Sequence, residues 1–208
     1  GLGGGSADAA AALRLLARSN GLGEGDPRLL AAAAATGADV PVCLASLSRI
    51  MRGRGDILSD PIELPPLPAI LVNPGVHLPT GAVFAALDLA ARAPHEPGPE
   101  AMPPSRGREA LLAFLRAGAN DLEPAAIKLE PVIAEVLAAL RGLEGARLAR
   151  MSGSGATCFA LFDSARAAER AARALRADRP GWWIRTARLA GVNAPGRCRI
   201  RRSRSVRP

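Results

Sequence analysis

Several residue types are scarce in this sequence of 208 residues, and their scarcity excludes several classes of protein. Tyrosine is absent and aromatic residues make up only 3%, so the body has no aromatic-interleaved basic run of the kind that binds nucleic acid. No apolar run approaches the ~20 residues of a membrane span. The three cysteines, Cys43, Cys158 and Cys198, are widely spaced and odd in number. They favour a reducing compartment over a disulfide framework, and they show no metal-binding spacing.

Acidic residues are outnumbered, and the net charge is +8. Of the 27 Lys and Arg residues, six are arginines within residues 197–208, where no acidic residue occurs. The other 21 nearly balance the 19 acidic residues, so the basic character belongs to this tail. Residues 191–208 have no apolar periodicity, and we expect them to be disordered. A non-enzymatic role in RNA binding would depend on the tail alone.

Glycine is concentrated at the start of the chain, where residues 1–7 read Gly-Leu-Gly-Gly-Gly-Ser-Ala. Strong helix formers follow, so we expect a helix from Ala7 to Arg18 with Ser6 as its N-cap. A glycine loop that leads into a helix N-terminus presents free N–H groups and favours phosphate. A flexible linker before an ordinary helix explains the glycines equally well.

Two common phosphate loops are excluded by inspection. A Walker A loop needs a lysine that is absent after Gly5, and the dinucleotide fingerprint needs glycine or alanine where Ser6 stands. No strand precedes the loop, and the first residue is not methionine. We therefore expect a fragment whose N-terminal portion is absent.

The next segments predict a second helix and a single acid in an apolar run. Asp26 is suited to cap a helix that begins at Pro27 and ends before Gly37. Residues 37–44 then contain Asp39 as their only acid. Such an acid is more often a cap or turn residue than a catalyst. The run is nevertheless apolar enough to be buried, and a buried carboxylate needs a partner or a chemical role.

A proline-rich passage at residues 61–68 indicates a domain boundary. A short buried strand is expected from Ala69 to Val72, a break at residues 73–75, and a helix from Gly81 to about Arg92 capped by Thr80. Read by itself, this is a plain β-turn-α connection with Phe84 as a core aromatic residue. Residues 93–107 contain five prolines and predict an exposed loop.

The remainder predicts further helices and an antiparallel sheet. Residues 120–123 favour a capped helix start, and a second glycine-rich element occupies residues 151–156. From residue 69 to 189 the expected order is strand, several helices, two strands, helix and strand, which indicates an α+β sandwich. The expected helices are 108–116, 131–141 and 165–177, and the last two strands are 157–162 and 182–189.

Residues 1–7 resemble the second motif of the GHMP kinases, Pro-x-x-x-Gly-Leu-Gly-Ser/Gly-Ser/Gly-Ser-Ala, with its first residues missing. The Gly-Ala-Asp-Val-Pro sequence at 37–41 is similar to the catalytic-aspartate segment of one branch of this family. Asn-Pro-Gly-Val at 73–76, Thr80 and Phe84 resemble a substrate segment of the same branch. That branch phosphorylates 4-diphosphocytidyl-2-C-methyl-D-erythritol in the non-mevalonate isoprenoid pathway. Residues 151–156 resemble the family's third, glycine-rich motif.

The resemblance implies a two-domain GHMP kinase fold and ATP-dependent phosphorylation with Mg²⁺ of the substrate 2-hydroxyl. Asp39 would be catalytic and would also contact the substrate, and Ser6 would be a candidate Mg²⁺ ligand. The ATP phosphates would be held by Gly1, Leu2, Gly3, Gly4, Gly5, Ser6 and Ala7. The acceptor would be contacted by Thr80, Phe84, Ser152, Gly153, Ser154 and Gly155.

The same resemblance implies a domain plan and a deficiency. Residues 1–67 would be the remaining part of the N-terminal domain, 68–190 the C-terminal domain, and 191–208 the basic tail. Family members have a lysine beside the catalytic aspartate, and the only lysine here, Lys128, lies in the wrong region. We therefore expect this chain by itself to be inactive. The protein would be cytoplasmic and a monomer or homodimer, and another GHMP kinase, acting on a sugar, homoserine or a mevalonate derivative, is the alternative.

Overall fold

The computed structural model describes residues 2–53, 55–87 and 107–189, which contain two groups of elements. The first group has three helices, α1 (Gly4–Ser19), α2 (Pro27–Thr36) and α3 (Val40–Ala45). An antiparallel hairpin of β1 (Met51–Arg52) and β2 (Ile57–Leu58) follows. The helices pack on one another through a small apolar cluster, formed by Ala10, Ala17, Leu29, Ala33, Val40 and Leu44.

The helix α1 begins earlier than the sequence predicts. Its first residue is Gly4, and Gly3 occupies the cap position in the left-handed conformation, with φ 65°. Ser6 therefore lies half-buried inside the first turn, and the prediction that it caps the helix is wrong. Gly3 makes the turn without steric cost, which leaves Gly4 and Gly5 free to adopt helical angles.

The predicted C-terminal end of α1 and both predicted ends of α2 are confirmed. Gly21 has φ 65°, and its N–H donates to the Arg18 carbonyl at 3.2 Å, which closes α1. Asp26 caps α2 by accepting the Arg28 N–H at 2.9 Å, and Pro27 is the first helical residue. The hydrogen bond from the Arg28 side chain lowers the pKa of the Asp26 carboxyl to about 2.

The second group is built around a four-stranded antiparallel sheet. Its strands are β3 (Leu67–Asn73), β4 (Ala146–Met151), β5 (Cys158–Phe162) and β6 (Trp183–Leu189). The spatial order is β4-β5-β3-β6, so β3 lies between the two strands with which it pairs. The predicted strands and the α+β class are confirmed.

Five helices accompany this sheet: α4 (Thr80–Ala85), α5 (Arg108–Ala117), α6 (Glu123–Leu129), α7 (Val132–Arg141) and α8 (Ala165–Asp178). Alternate residues of a strand point to opposite faces. Ile70 and Val72 of β3 accordingly pack in a large cluster with α6, α7 and α8, whereas Ala69 packs with Leu111 and Leu112 of α5. The sheet is therefore covered on both faces.

The predicted helices at 108–116, 131–141 and 165–177 are confirmed to within one residue at each end. The helix that was expected from Gly81 to about Arg92 ends at Ala85, so that prediction is wrong at Ala86 and Leu87, and residues 88–91 are not described. At this end the Leu87 N–H donates to the Phe84 carbonyl at 3.2 Å, which closes the helix with a turn tighter than an α-helical one. Leu87 then packs against the large cluster. Arg92 itself lies outside the described residues.

Two further predictions concern residues that the structure does not describe. The expected loop at 93–107 is outside the described ranges except for Gly107, which caps α5. The expected disordered tail at 191–208 is outside them entirely. Within residues 2–53, 55–87 and 107–189, none of the helices combines the length and hydropathy that crossing a membrane requires.

Candidate active site

The first glycine segment is an open helix N-terminus. The first intrahelical hydrogen bond runs from the Ala7 N–H to the Gly3 carbonyl at 2.9 Å, so the N–H groups of Gly4, Gly5 and Ser6 precede the helical ladder. A Cβ placed on Gly3, Gly4 or Gly5 would meet no atom within 4 Å. The aligned peptide dipoles make this end of α1 electropositive. The segment can therefore accept a phosphate that approaches the backbone closely.

Asp39 lies immediately before α3 and is exposed. The expectation that its carboxylate is buried is therefore wrong. The physical reason is the helical geometry of α3, which turns Val40 and Leu44, four residues apart, towards the small apolar cluster. Asp39 makes no cap hydrogen bond and stays accessible to an incoming hydroxyl group.

Arg14 links the glycine helix to the helix that follows Asp39. Its Nη1 donates to the Cys43 carbonyl at 2.9 Å and to the Leu44 carbonyl at 3.1 Å. These two carbonyls belong to the last turn of α3, where carbonyl groups lack helical partners. The contact fixes α3 against the middle of α1. Sequence reasoning missed it, because an arginine in an exposed-looking helix carries no signal of a partner 29 residues away.

The β1–β2 hairpin packs against Ala38, the residue that precedes Asp39. Gly55 has φ 95°, and a Cβ at this position would lie 3.2 Å from the Met51 Cε and 3.4 Å from the Ala38 Cβ. Only glycine combines this backbone angle with so close an approach. The hairpin therefore supports the residue that precedes Asp39.

The second glycine-rich element is a closed turn between β4 and β5. The Ser152 N–H donates to the Thr157 carbonyl at 2.9 Å, and the Gly155 N–H donates to the Ser152 carbonyl at 3.0 Å. Gly155 has φ 86°, and a Cβ there would lie 2.8 Å from the Met151 Sδ. A side chain at 155 would be strained at this φ and would have to displace the buried Met151 side chain, which explains why glycine occupies this position.

The structure brings two of the predicted acceptor residues together. The Thr80 and Ser154 hydroxyl groups are 2.8 Å apart and hydrogen-bonded. The expectation that Thr80 caps α4 is wrong, because Pro79 occupies the cap position and Thr80 is the first helical residue. Phe84 lies on the same helix with 55% of its surface exposed, so its interpretation as a core aromatic is wrong.

Asn73 connects the predicted substrate segment to the sheet beside this turn. Its Nδ2 donates to the Thr157 Oγ1 at 2.9 Å, and its Oδ1 accepts the Gly75 N–H at 2.8 Å. Thr157 is buried, so this hydrogen bond satisfies a hydroxyl group that water does not reach. Asn73 therefore ties the turn at residues 73–75 to Thr157, the residue that precedes β5.

Residues 120–123 contact the second glycine turn, which the sequence did not reveal. The predicted helix start is confirmed at Glu123, but the predicted cap is wrong, because Leu122 occupies the cap position and no side chain caps the helix. Asn120 Oδ1 instead accepts the Leu122 N–H at 3.0 Å in the turn before the helix. Asn120 Nδ2 also donates to the Met151 and Gly153 carbonyls at 3.0 and 2.8 Å. Glu123 Oε2 accepts the Met151 N–H at 3.3 Å.

The two sets of candidate residues lie in separate packing clusters. Residues 2–7 and Asp39 belong to the α1–α3 group, and Thr80, Phe84 and the turn at 152–155 belong to the sheet group. Among the described residues, no hydrogen bond or ion pair joins α1–α3 to Thr80 or to the turn. The candidate residues therefore fall into two sets, each with its own glycine-rich segment.

No group of three or more His, Cys, Asp or Glu side chains suited to a metal ion occurs in the part of the chain that the structure describes. Mg²⁺ commonly keeps several waters and takes only one or two protein ligands together with phosphate oxygens. The Ser6 hydroxyl, in the same turn as the open N–H groups, fits such a minor ligand.

Known proteins resemble this chain in sequence and in structure. Residues 106–180 match the family described as GHMP kinases C terminal. A 4-diphosphocytidyl-2-C-methyl-D-erythritol kinase of Xanthobacter autotrophicus is 56% identical over 189 residues, covering 89% of this chain and 64% of the relative. The kinase of that name from Nitrobacter winogradskyi is 54% identical over 201 residues, covering 92% and 63%.

A solved structure supports the same relationship. The crystal structure of a 4-(cytidine 5'-diphospho)-2C-methyl-D-erythritol kinase superposes with a TM-score of 0.71 and 36% sequence identity. The match covers 91% of this chain and 66% of that protein.

The chain is similar to the GHMP kinases, both through the family match at residues 106–180 and through the relatives described above. Within that family, its similarity is to the 4-diphosphocytidyl-2-C-methyl-D-erythritol kinases. It spans a little under two thirds of the length of each of these relatives.

Proposed function

We propose that the whole protein transfers the γ-phosphoryl group of ATP to the 2-hydroxyl of 4-diphosphocytidyl-2-C-methyl-D-erythritol. The observation that carries this proposal is the identity of 56% and 54%, over about nine tenths of the chain, with two kinases named for that substrate. The two glycine-rich elements and the accessible Asp39 carboxylate are consistent with it. Phosphoryl transfer needs mainly positioned groups and charge stabilisation, which such elements provide.

ATP is assigned to residues 1–7, at the start of α1. The N–H groups of Gly4, Gly5 and Ser6 would donate to phosphate oxygens. The open space beside Gly3, Gly4 and Gly5 would admit the phosphate groups. Ser6 is the residue that would hold Mg²⁺. When bound, this ion neutralises charge on the phosphate oxygens.

Asp39 is assigned to the acceptor hydroxyl. Its exposed carboxylate would accept the hydroxyl proton, or orient the hydroxyl for in-line attack on the γ-phosphorus. The contact of Arg14 with the last turn of α3 and the packing of Gly55 against Ala38 would keep this carboxylate in a fixed place relative to α1.

The acceptor is assigned to Thr80, Phe84 and the turn at residues 152–155. Phe84 offers an exposed aromatic face that could stack on the cytosine ring. The Thr80 and Ser154 hydroxyl groups, which already share a hydrogen bond, could both turn to a polar group of the substrate. We propose a cytoplasmic location, where ATP is available, and a monomer or homodimer.

The test is a competition between acceptors. The whole protein is given ATP, Mg²⁺ and equal concentrations of the diphosphocytidyl alcohol, homoserine, galactose and mevalonate, and the phosphorylated products are identified by mass spectrometry. We expect transfer to the diphosphocytidyl alcohol with a kcat/KM at least about a hundredfold above that of the others, because only it fills the polar acceptor contacts. Preferential transfer to another alcohol, or none to any, would overturn the proposal.

A further inference from the structure

The amide of Asn120 uses both of its N–H donors and its oxygen on two backbone segments. Its Nδ2 donates to the Met151 carbonyl at 3.0 Å and to the Gly153 carbonyl at 2.8 Å. Its Oδ1 accepts the Leu122 N–H at 3.0 Å. An asparagine amide has two N–H donors, and both are directed at carbonyl oxygens of the second glycine element. The orientation of the amide is therefore set by the groups around it.

Glu123 also holds Met151, the last residue of β4, but through the Met151 N–H group. Its Oε2 accepts the Met151 N–H at 3.3 Å, while Asn120 takes the Met151 carbonyl. Arg141 of α7 in turn donates to Glu123 Oε1 at 3.3 Å, which restrains the carboxylate. The last residue of β4 is thus held through both its N–H and its carbonyl group.

The turn that follows needs such restraint. Gly153 and Gly155 adopt φ values of 55° and 86°, and glycine backbones have many alternative conformations. The contacts from residues 120–123 reach the turn at Met151 and Gly153, whereas Thr80 reaches it at Ser154. Within residues 2–53, 55–87 and 107–189, the N–H groups of Gly153 and Ser154 have no hydrogen-bond partner.

We propose that Asn120 is a positioning residue that fixes the turn at residues 152–155. The N–H and hydroxyl groups of the turn then face the acceptor. The assignment of the acceptor to this turn rests on the function proposed above. Asn120 touches no substrate in this account, and it acts through the Met151 and Gly153 carbonyls.

The test replaces Asn120 by Asp and by Ser in the whole protein. Either residue retains an oxygen that can accept the Leu122 N–H, but neither can donate to both carbonyls. Asp also places a charge beside two carbonyl oxygens. The matched control is Asn20→Asp, because Asn20 Nδ2 donates to the Leu16 carbonyl at 2.8 Å at the far end of α1.

We expect KM for the diphosphocytidyl alcohol to rise by about tenfold or more in both Asn120 variants, with KM for ATP within about twofold. Hydrogen exchange at residues 152–156 should accelerate by about tenfold in the same variants. Asn20→Asp should change neither quantity. A loss of overall stability alone would not raise one KM selectively.

Two results would overturn the inference. One is unchanged exchange at residues 152–156 in a folded Asn120 variant, and the other is an equal rise of both KM values. If the wild-type protein does not phosphorylate the diphosphocytidyl alcohol, the proposed function fails instead, and the exchange measurement still decides whether Asn120 fixes the turn. The Ser variant serves if the Asp variant does not fold.

Discussion

At the scale of single residues, Asp39 is the side chain on which the proposed chemistry depends. It is exposed beside the buried Val40, so its local sequence suggested a more apolar environment than the fold provides. Burial is decided by which face of α3 meets α1, and apolar neighbours in the sequence do not determine that face. A general base that contacts the acceptor hydroxyl needs access to it, and the observed exposure supplies that access.

Asp39→Asn removes the charge and keeps the shape of the side chain. Because the proton acceptor is lost while binding groups remain, we predict that kcat falls by roughly 10²-fold or more and that KM changes by less than about tenfold. Steady-state kinetics on the whole protein measure both quantities.

Asp163→Asn is the control for this prediction. Asp163 accepts two hydrogen bonds from Arg147, at 2.8 and 2.7 Å, at an exposed position after β5. An exposed ion pair typically contributes only about 0–1 kcal/mol, so the variant should fold and stay active. Near-normal turnover of a folded Asp39→Asn protein would show that Asp39 is only structural.

At the scale of elements, helix starts and ends followed from the sequence where a residue caps through its own side chain or its own φ angle. Asp26, Pro27 and Gly21 act in this way, and their predictions are confirmed. Contacts between distant segments did not follow. Residues 120–123 were interpreted only as a capped helix start, whereas the Asn120 amide holds carbonyls 31 and 33 residues away. No local pattern encodes such a contact, because it depends on how α6 packs against the end of β4.

The start of α1 gives a direct test of the phosphate assignment. Gly4 has open space where a Cβ would lie, so valine fits the free protein, but its side chain would occupy the volume that a phosphate needs. We predict that Gly4→Val abolishes ATP binding in calorimetry with the whole protein. Gly25→Val, at another open position, is the control and should bind ATP normally. Unchanged ATP affinity in a folded Gly4→Val protein would refute the assignment.

At the scale of the whole molecule, the described residues form a small helical cluster and a larger sheet-centred core. The first buries six apolar residues, whereas the second covers both faces of a four-stranded sheet. We propose domains at residues 1–67 and 68–190, with residues 191–208 as a separate tail; this boundary falls one residue inside β3, whose first residue, Leu67, packs with the sheet. Local opening is easier where few apolar side chains are buried. Hydrogen exchange should therefore be faster before residue 68 than after it.

The central claim is that the two glycine-rich elements, which lie in separate clusters, serve one reaction. Hydrogen exchange of the whole protein with a non-hydrolysable ATP analogue, with the diphosphocytidyl alcohol, and with both ligands tests it most directly. We predict that the nucleotide slows exchange at residues 3–7, that the alcohol slows exchange at residues 152–155, and that both segments are slowed by about tenfold or more when both ligands are present. Slowing at only one of the two segments with both ligands present, or at neither, would contradict the account.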